Sequence, residues 1–431
     1  MSNTTPYSNT RQRWAWAFYD WANSAFVMTV MVVFFPIFFR DYWAKGLPSE
    51  EITLNLGIAT SGASLLVMLM APFLGALADQ GNLKRRLLIG FATLGMLATS
   101  GLYWLAEGQW QLAMLVYVLG AIGFLGGNIF YDSLLVDVAS EKELNRTSAL
   151  GYSLGYLGGG LLFALCVWMT LQPELFGLAS KTDAVKVSFL LTALWWALFA
   201  IPLWLWVGKQ PQNAVPPTRA LPLGQLFRNA LAELRDTFRH IRQQRVVWLF
   251  LLAYWFYIDG VDTVAFMAVD FGKTMGFDTS SLITALLITQ FVSFPAALAF
   301  GWIGNWLGAK NGILLALGGY VLIIVGATFM QDVDDFYKLA LSVGLVQGGV
   351  QALSRSLYAS LIPPERAAEF FGFYNMLGKF AAVLGPLLVG WVGLMTGSPR
   401  MGLLAILLLI GLGGLLLWLM PSSKQPNRAG Q

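Results

Sequence analysis

Twelve mostly apolar runs, each about 20 residues or longer, recur along the chain and leave room for little else. Their approximate bounds are 14–40, 53–78, 87–106, 110–138, 148–171 and 186–207, then 246–272, 279–303, 312–330, 336–362, 370–396 and 401–420. Such a run crosses a bilayer as a helix, because lipid offers no partner for an open backbone N–H or C=O. Several runs exceed the minimum length, which implies tilt or extension beyond the hydrocarbon. The alternating ten-residue segments of a membrane β-barrel are not found in the sequence. Composition closes off soluble alternatives. Hydrophobic residues make up 57% and charged residues 12% of the 431 positions, whereas soluble domains carry about 25% charge. The expected class is therefore an all-α integral membrane protein with twelve transmembrane helices.

The Lys and Arg residues set the orientation. With the N-terminus in the cytoplasm, well over half of the 27 basic residues fall in cytoplasmic segments, so both termini are expected there. The net charge of +4 then belongs to cytoplasmic loops and not to a nucleic-acid surface. The first apolar run is too long for a cleavable signal and lacks a small-residue cleavage site after it. Cys166 is the only cysteine and His240 the only histidine, so no internal disulfide and no histidine-based metal or catalytic site is expected. No phosphate-binding loop of the Gly-x-x-x-x-Gly-Lys-Ser/Thr type occurs, which leaves ATP drive unsupported. Neither a metal nor a cofactor is expected.

Residues 208–245 interrupt the pattern. Pro211, Pro216, Pro217 and Pro222 give an extended start. Leu226, Phe227, Ala230, Leu231, Leu234, Phe238 and Ile241 then line one helical face, with Arg228, Arg235, Arg239, Arg242 and Arg245 around it. A basic amphipathic helix on the inner membrane surface is expected. The segment divides the chain into a six-helix bundle over 1–207 and another over 246–431. The halves carry traces of a repeat. Phe18-Tyr19-Asp20-Trp21-Ala22-Asn23-Ser24-Ala25-Phe26 in the first run answers to Phe256-Tyr257-Ile258-Asp259-Gly260-Val261-Asp262-Thr263-Val264-Ala265-Phe266 in the seventh. Gly75, Asp79, Gly81, Lys84, Arg85 and Arg86 after the second run answer to Gly301, Asn305, Gly308 and Lys310 after the eighth. Many carriers are duplicated in this way, with the substrate site between the halves near the midplane.

The Gly-xxx-Asp loop with its basic cluster between the second and third runs resembles the signature loop of the major facilitator superfamily, but departs from it at Gln80, where a basic residue is common. Tyr19-Asp20-Trp21-Ala22-Asn23-Ser24-Ala25 resembles the hallmark of the vacuolar amino-acid effluxers linked to autophagy and of their bacterial relatives. Tyr131-Asp132-Ser133, the glycine-rich stretch from Gly151 to Gly160, Ser354-Arg355-Ser356 and Phe370-Phe371-Gly372-Phe373-Tyr374 are similar to that family as well. The resemblance covers nearly the whole membrane part. It implies the major facilitator fold and a transporter working by alternating access.

Charges inside a membrane are costly and usually face a cavity or a partner. Asp20, Asp132, Asp259, Asp262, Arg355 and Lys379 fall in the apolar runs. Asp20 and Asn23 share a helix face, as do Asp259 and Asp262. If the halves are related, these faces oppose each other, and two nearby carboxylates in low dielectric do not readily ionise together. Proton coupling through Asp20, Asp259 or Asp262 is one reading; fixed bridges to Arg355, Lys379 or helix ends are the other. Asp132 and Arg355 occupy nearly corresponding positions in the fourth and tenth runs. Together they could hold the two ends of a zwitterion, Arg355 offering a fork to a carboxylate, or form a bridge that closes a gate. Lys379 could bind an anionic group or neutralise an Asp. Asn23 and Tyr19 complete the substrate-binding candidates, and Tyr19 and Trp21 either line the cavity or pack in the core. Asp79 could accept bonds from an adjacent helix N-terminus in one conformation and release them in another; alternatively the neighbouring bases only set topology. Gly151, Gly155 and Gly159 form a stripe that lets helices approach. Trp14, Trp16, Trp43 and Trp418 lie near run ends, where interface anchoring is expected.

A secondary active transporter of a small solute is the leading expectation: an amino acid or similar zwitterion or anion, coupled to protons, in a monomer of a bacterial plasma (inner) membrane. Export of amphipathic or lipid-like compounds is the alternative. An intramembrane aspartyl protease is disfavoured because the Gly-x-Gly-Asp partner of its Tyr-Asp motif is missing. A receptor role is disfavoured because no sizeable soluble domain exists to pass on a signal.

Overall fold

The structure is a computed structural model that describes residues 9–81, 83–207, 239 and 244–421. Those residues fold into twelve long helices: α1 (Thr10–Trp43), α2 (Ser49–Gly81), α3 (Lys84–Gly101), α4 (Trp110–Ser133), α5 (Leu144–Leu171) and α6 (Lys181–Trp206), then α7 (Arg245–Thr274), α8 (Thr279–Leu307), α9 (Ala309–Ala327), α10 (Val333–Leu361), α11 (Ala367–Thr396) and α12 (Pro399–Leu419). Among the described residues, 11 helices are long and apolar enough to cross a membrane. The helix outside that set is α10, whose apolar stretch is diluted by Asp334, Asp335, Lys338, Gln347, Gln351 and Arg355. The basic amphipathic helix expected between the halves lies outside the described residues, apart from Arg239, Gln244 and Arg245.

Local chemistry explains where helices begin and turn. Asn9, Ser180, Asp278 and Asp332 cap α1, α6, α8 and α10 by accepting a bond from a first-turn N–H. A single residue, Gly308, separates α8 from α9 at φ +85°, a left-handed turn that a Cβ would strain. The first helix widens into π-helical turns at Phe26–Phe34 and Phe39–Trp43, on either side of Pro36.

Large apolar side chains such as Leu194, Leu322, Trp306 and Leu394 stay on the outside, the reverse of a soluble protein. They face lipid, while the helices satisfy their own backbone. Within the first six helices, α1 packs on α5 and α6, and α4 on α2 and α3. Within the last six, α7 packs on α11 and α12, and α10 on α8 and α9. The two sets meet chiefly through α2 against α11 and α5 against α8 and α10. Glycines make those seams tight. A Cβ on Gly75 would strike the backbone of Ala368 and Glu369, and one on Gly372 the backbone of Ala71 and Pro72. Gly301 lies against Ala149, and Gly160 against Gln290.

Two of the four tryptophans expected at the membrane surface sit elsewhere. Trp14 and Trp418 are exposed, but Trp16 and Trp43 are fully buried. Trp43 is enclosed by Phe35, Phe38 and Phe189. Trp16 stacks on Tyr131 at 4.5 Å and donates its indole N–H to the Tyr131 carbonyl at 2.8 Å. Position along a span suggested an anchor, but both side chains point to neighbouring helices rather than to the rim.

Candidate functional site: a buried arginine between the helix sets

Arg355 is buried and belongs to α10, yet among the described residues every hydrogen-bond partner of its guanidinium comes from the first six helices. Its Nε donates to Ser148 Oγ at 3.0 Å, and its Nη2 to the Ser148 carbonyl at 3.0 Å and to Asp20 Oδ2 at 3.3 Å. Its Nη1 donates to Asp132 Oδ1 at 3.1 Å and more weakly to Asp20 Oδ2 at 3.4 Å. The guanidinium lies 4.1 Å from the Tyr152 ring and 4.7 Å from that of Trp16, both favourable for a desolvated cation. The carboxylates have further donors: Tyr131 Oη gives a 2.8 Å bond to Asp20, and Asn375 Nδ2 of α11 a 3.0 Å bond to Asp132. Asp20 thus meets Arg355, not the face carrying Asp259 and Asp262. One guanidinium against two carboxylates leaves a formal charge of −1 on the cluster.

Asp262 and Lys379 lie apart from these bonds. Both are half-buried although they sit well inside α7 and α11. Lys379 lies in the field of Asp262 and Asp132, and Tyr152 in that of Arg355, Asp132, Asp20 and Asp262, so these groups lie near one another in one interior region. Tyr254 and Tyr374 stack at 4.2 Å beside it. Among the described residues, neither Asp262 nor Lys379 forms an ion pair or hydrogen bond. Asp259 is fully buried and turned to α11: its Oδ1 accepts from the Gly385 N–H at 2.9 Å and from Thr263 Oγ1 at 3.4 Å. Its Oδ2 has no hydrogen-bond partner among the described residues.

One end of the molecule is shut. Asp79, at the end of α2, accepts the Glu369 N–H at 2.9 Å and the Ala368 N–H at 3.2 Å, both orphan donors at the start of α11. Lys84 bridges Asp79 at 3.5 Å and Asp137 at 3.4 Å. Arg85 donates to the Trp204 carbonyl, and Arg86 is exposed. Gly75 provides the close approach described above, and Gly81 ends α2. Ser356 Oγ donates to Asn145 at 2.7 Å, and Arg13 pairs with Glu143 at the same end. At the opposite end, Leu54 and Ile58 of α2 are exposed beside an open groove along Ser49, Thr53, Gly57 and Ser61.

Of the other site candidates, Asn23 donates to Asn128 at 2.8 Å, and Tyr19 is fully buried against Tyr131. Trp21 stacks on Trp195 at 5.6 Å. Sequence reasoning passed over Ser148, Tyr152 and Asn375, which hold the buried charges, because beyond the formal charges inside apolar runs it weighed only Tyr19, Trp21 and Asn23 beside Asp20. Asn375, an amide directly after Phe373-Tyr374, was the available signal.

The description "vacuole effluxer Atg22 like" matches residues 57–430. The MFS-type transporter YxiO of Bacillus subtilis is 36% identical over 424 residues, covering 98% of this chain and 97% of its own. Autophagy-related protein 22 of Gibberella zeae is 23% identical and spans 87% of this chain and 69% of its own. Among solved structures, the human organic anion transporter MFSD10 superposes with a TM-score of 0.68 at 17% identity, over 95% of this chain and all of that one. The proton:xylose symporter XylE gives 0.73 at 14% identity, over 95% of each chain. These last two establish the major facilitator fold.

Proposed function

This chain belongs to the Atg22-like vacuole effluxer family, and we propose that it is a secondary active transporter that moves a zwitterionic or anionic small solute, such as an amino acid, by proton-coupled alternating access. As a multi-pass membrane protein of the major facilitator type, it has relatives named as transporters rather than enzymes. The proposal includes twelve spans, with α10 among them, and both termini in the cytoplasm. It also includes two six-helix bundles, over 1–207 and 246–431, joined by the linker 208–245, and a monomer in the plasma membrane.

The observation that carries this reading is Arg355, a cation of α10 held wholly by α1, α4 and α5 at the shut end. Opening that end requires Arg355 to leave Asp20 and Asp132, which would strand charges in low dielectric. A proton taken up by either carboxylate makes the cluster neutral and weakens the bridge. Release of the bridge, together with release of the α11 N-terminus by Asp79, then favours the opposite conformation. Proton and conformation are thereby linked, which is what a coupled carrier needs.

The test is accumulation of a labelled amino-acid mixture in proteoliposomes under an imposed pH gradient, with Asp20→Asn and Asp259→Asn run alongside. Gradient-driven accumulation by the native protein that Asp20→Asn abolishes, with insertion intact, supports the proposal. Accumulation unchanged in both variants removes these carboxylates from coupling. No accumulation in either gradient direction refutes the amino-acid reading and favours an amphipathic cargo.

A further inference from the structure

The charges best suited by type to hold a zwitterion, Arg355 and Asp132, are already occupied. Arg355 makes five hydrogen bonds to Ser148, Asp20 and Asp132, and Asp132 takes a further one from Asn375. A ligand could use them only by dismantling the contact between the two helix sets. Asp262 and Lys379 are in the opposite position: opposite in sign, in each other's field, partly exposed, and unbonded among the described residues. An interior charge of that kind is costly unless something compensates it.

Depth separates the two pairs. Measured from the shut end at 1.5 Å per residue, Arg355 lies about 9 Å up α10, Lys379 about 18 Å up α11 and Asp262 about 25 Å up α7. The Arg355 cluster therefore forms a floor, and Asp262 and Lys379 stand above it, toward the end where α2 lines an open groove. By the same measure Tyr152, Tyr254 and Tyr374 lie about 10–14 Å up α5, α7 and α11, between the floor and Lys379, and Tyr156 lies about 18 Å up α5, level with Lys379. The hydroxyl of Tyr320, on α9, is fully buried, has no hydrogen-bond partner among the described residues, and lies in the field of Asp262.

Resting on the reading of the protein as a carrier of zwitterions, we infer that Lys379 and Asp262 hold the carboxylate and the ammonium of the cargo, and that the tyrosines receive an aromatic side group. Arg355, Asp20 and Asp132 form the gate beneath it and do not touch the cargo in this conformation. Asp262 and Lys379 lie in each other's field without a direct bond among the described residues; an ammonium at Asp262 and a carboxylate at Lys379 would give each a direct ion pair. Flat rings between tyrosines gain offset or edge-on contacts that a small aliphatic group does not.

Equilibrium binding to the purified full-length protein tests this with three labelled probes: phenylalanine, phenethylamine (no carboxylate) and 3-phenylpropionate (no ammonium). The native protein is expected to prefer phenylalanine by about 10- to 100-fold over each truncated probe, the worth of one charge-assisted bond. Lys379→Gln should bind phenylalanine and phenethylamine equally. Asp262→Asn should bind phenylalanine and 3-phenylpropionate equally. The conservative Lys379→Arg and Asp262→Glu should retain most of the preference. Melting temperatures like the native protein's show that the variants are folded; if a neutral variant does not fold, the native/conservative comparison and Tyr374→Ala, with its expected 10-fold loss of phenylalanine binding, decide. If the folded neutral variants keep the native preferences, the inference is overturned while the zwitterion reading stands. If the native protein accumulates amino acids yet binds none of the probes, the aromatic assignment is overturned. If it prefers no probe and accumulates no amino acid, the amino-acid reading has failed and the inference with it.

Discussion

Gly75→Ala separates the two helix sets at the shut end without touching a charge. A Cβ at position 75 would lie 2.6 Å from both the Ala368 carbonyl carbon and the Glu369 Cα, with the Ala368 carbonyl oxygen nearer still. Ordinary contact starts near 3.4 Å, so α2 and α11 must part by about 1 Å, more than the roughly 0.8 Å that the two carbon atoms alone require. The atoms struck are backbone, so no side-chain rotation relieves the clash. Overpacking of this kind costs about 1–3 kcal/mol. The same movement stretches the bonds from Asp79 to Glu369 and Ala368, now 2.9 and 3.2 Å, out of hydrogen-bond range. Their partial replacement by water adds about 1 kcal/mol. In the proposed alternation the opposite conformation does not form this seam, so the penalty falls on one state only. A bias of about 2–4 kcal/mol shifts the equilibrium about 30- to 700-fold. Spin labels at the exposed Arg86 and Glu365 positions report the shut end, and labels at Leu54 and Leu394 report the open one. Buried Cys166 is replaced by Ser beforehand. The distance between positions 86 and 365 should lengthen in Gly75→Ala, and that between 54 and 394 should shorten. Unchanged distributions in a folded variant would refute the argument that this seam determines which end is closed.

Three further outcomes follow from the same geometry. Arg355→Met strands Asp20 and Asp132 and should lower stability by about 3–5 kcal/mol; adding Asp20→Asn and Asp132→Asn should recover most of it, measured by melting in detergent, and an equally unstable triple variant would contradict the pairing. A Cβ at position 301 would lie 2.6 Å from the Ala149 Cβ, so Gly301→Ala should slow transport and Ala149→Gly should restore it; failure of that rescue would place the defect elsewhere than the α5–α8 seam. The N–H of Ser281, and then the Ser281 and Ser280 hydroxyls, hold the Asp278 carboxyl below its ordinary range at the start of α8. A depressed folded value means the stabilisation is present above the unfolded value, about 3.9, and is lost as pH falls through the folded one. Melting profiles of the native protein and Asp278→Ala should therefore converge on acidification, and parallel profiles would exclude the cap as the cause.

Much of the architecture was legible without coordinates. Apolar runs of helix-spanning length, separated by short polar loops, admit few solutions in lipid, because the backbone must satisfy itself and only the length of each run matters. The charges worth attention were legible too, since an Asp or Arg in such a run is expensive wherever it points. Asp79 beside the start of a helix could be anticipated from the loop pattern, because a carboxylate and a helix N-terminus attract by general electrostatics. Partnership was not legible. Asp20 and Asp259 look equivalent by their place in the repeat, yet Asp20 pairs with Arg355 across the molecule and Asp259 bonds to the Gly385 N–H within its own set. Trp16 and Trp43 sit near span ends like Trp14 and Trp418, yet they are core. Helical periodicity fixes which residues share a face, but not which neighbour that face meets or at what depth. Those depend on tilt, rotation and crossing, set by packing between residues far apart in the chain, such as Gly75 against Ala368 and Ser148 against Arg355. Only once the helices are docked does it emerge that Arg355 and Asp132 satisfy one another while Asp262 and Lys379 remain unbonded among the described residues.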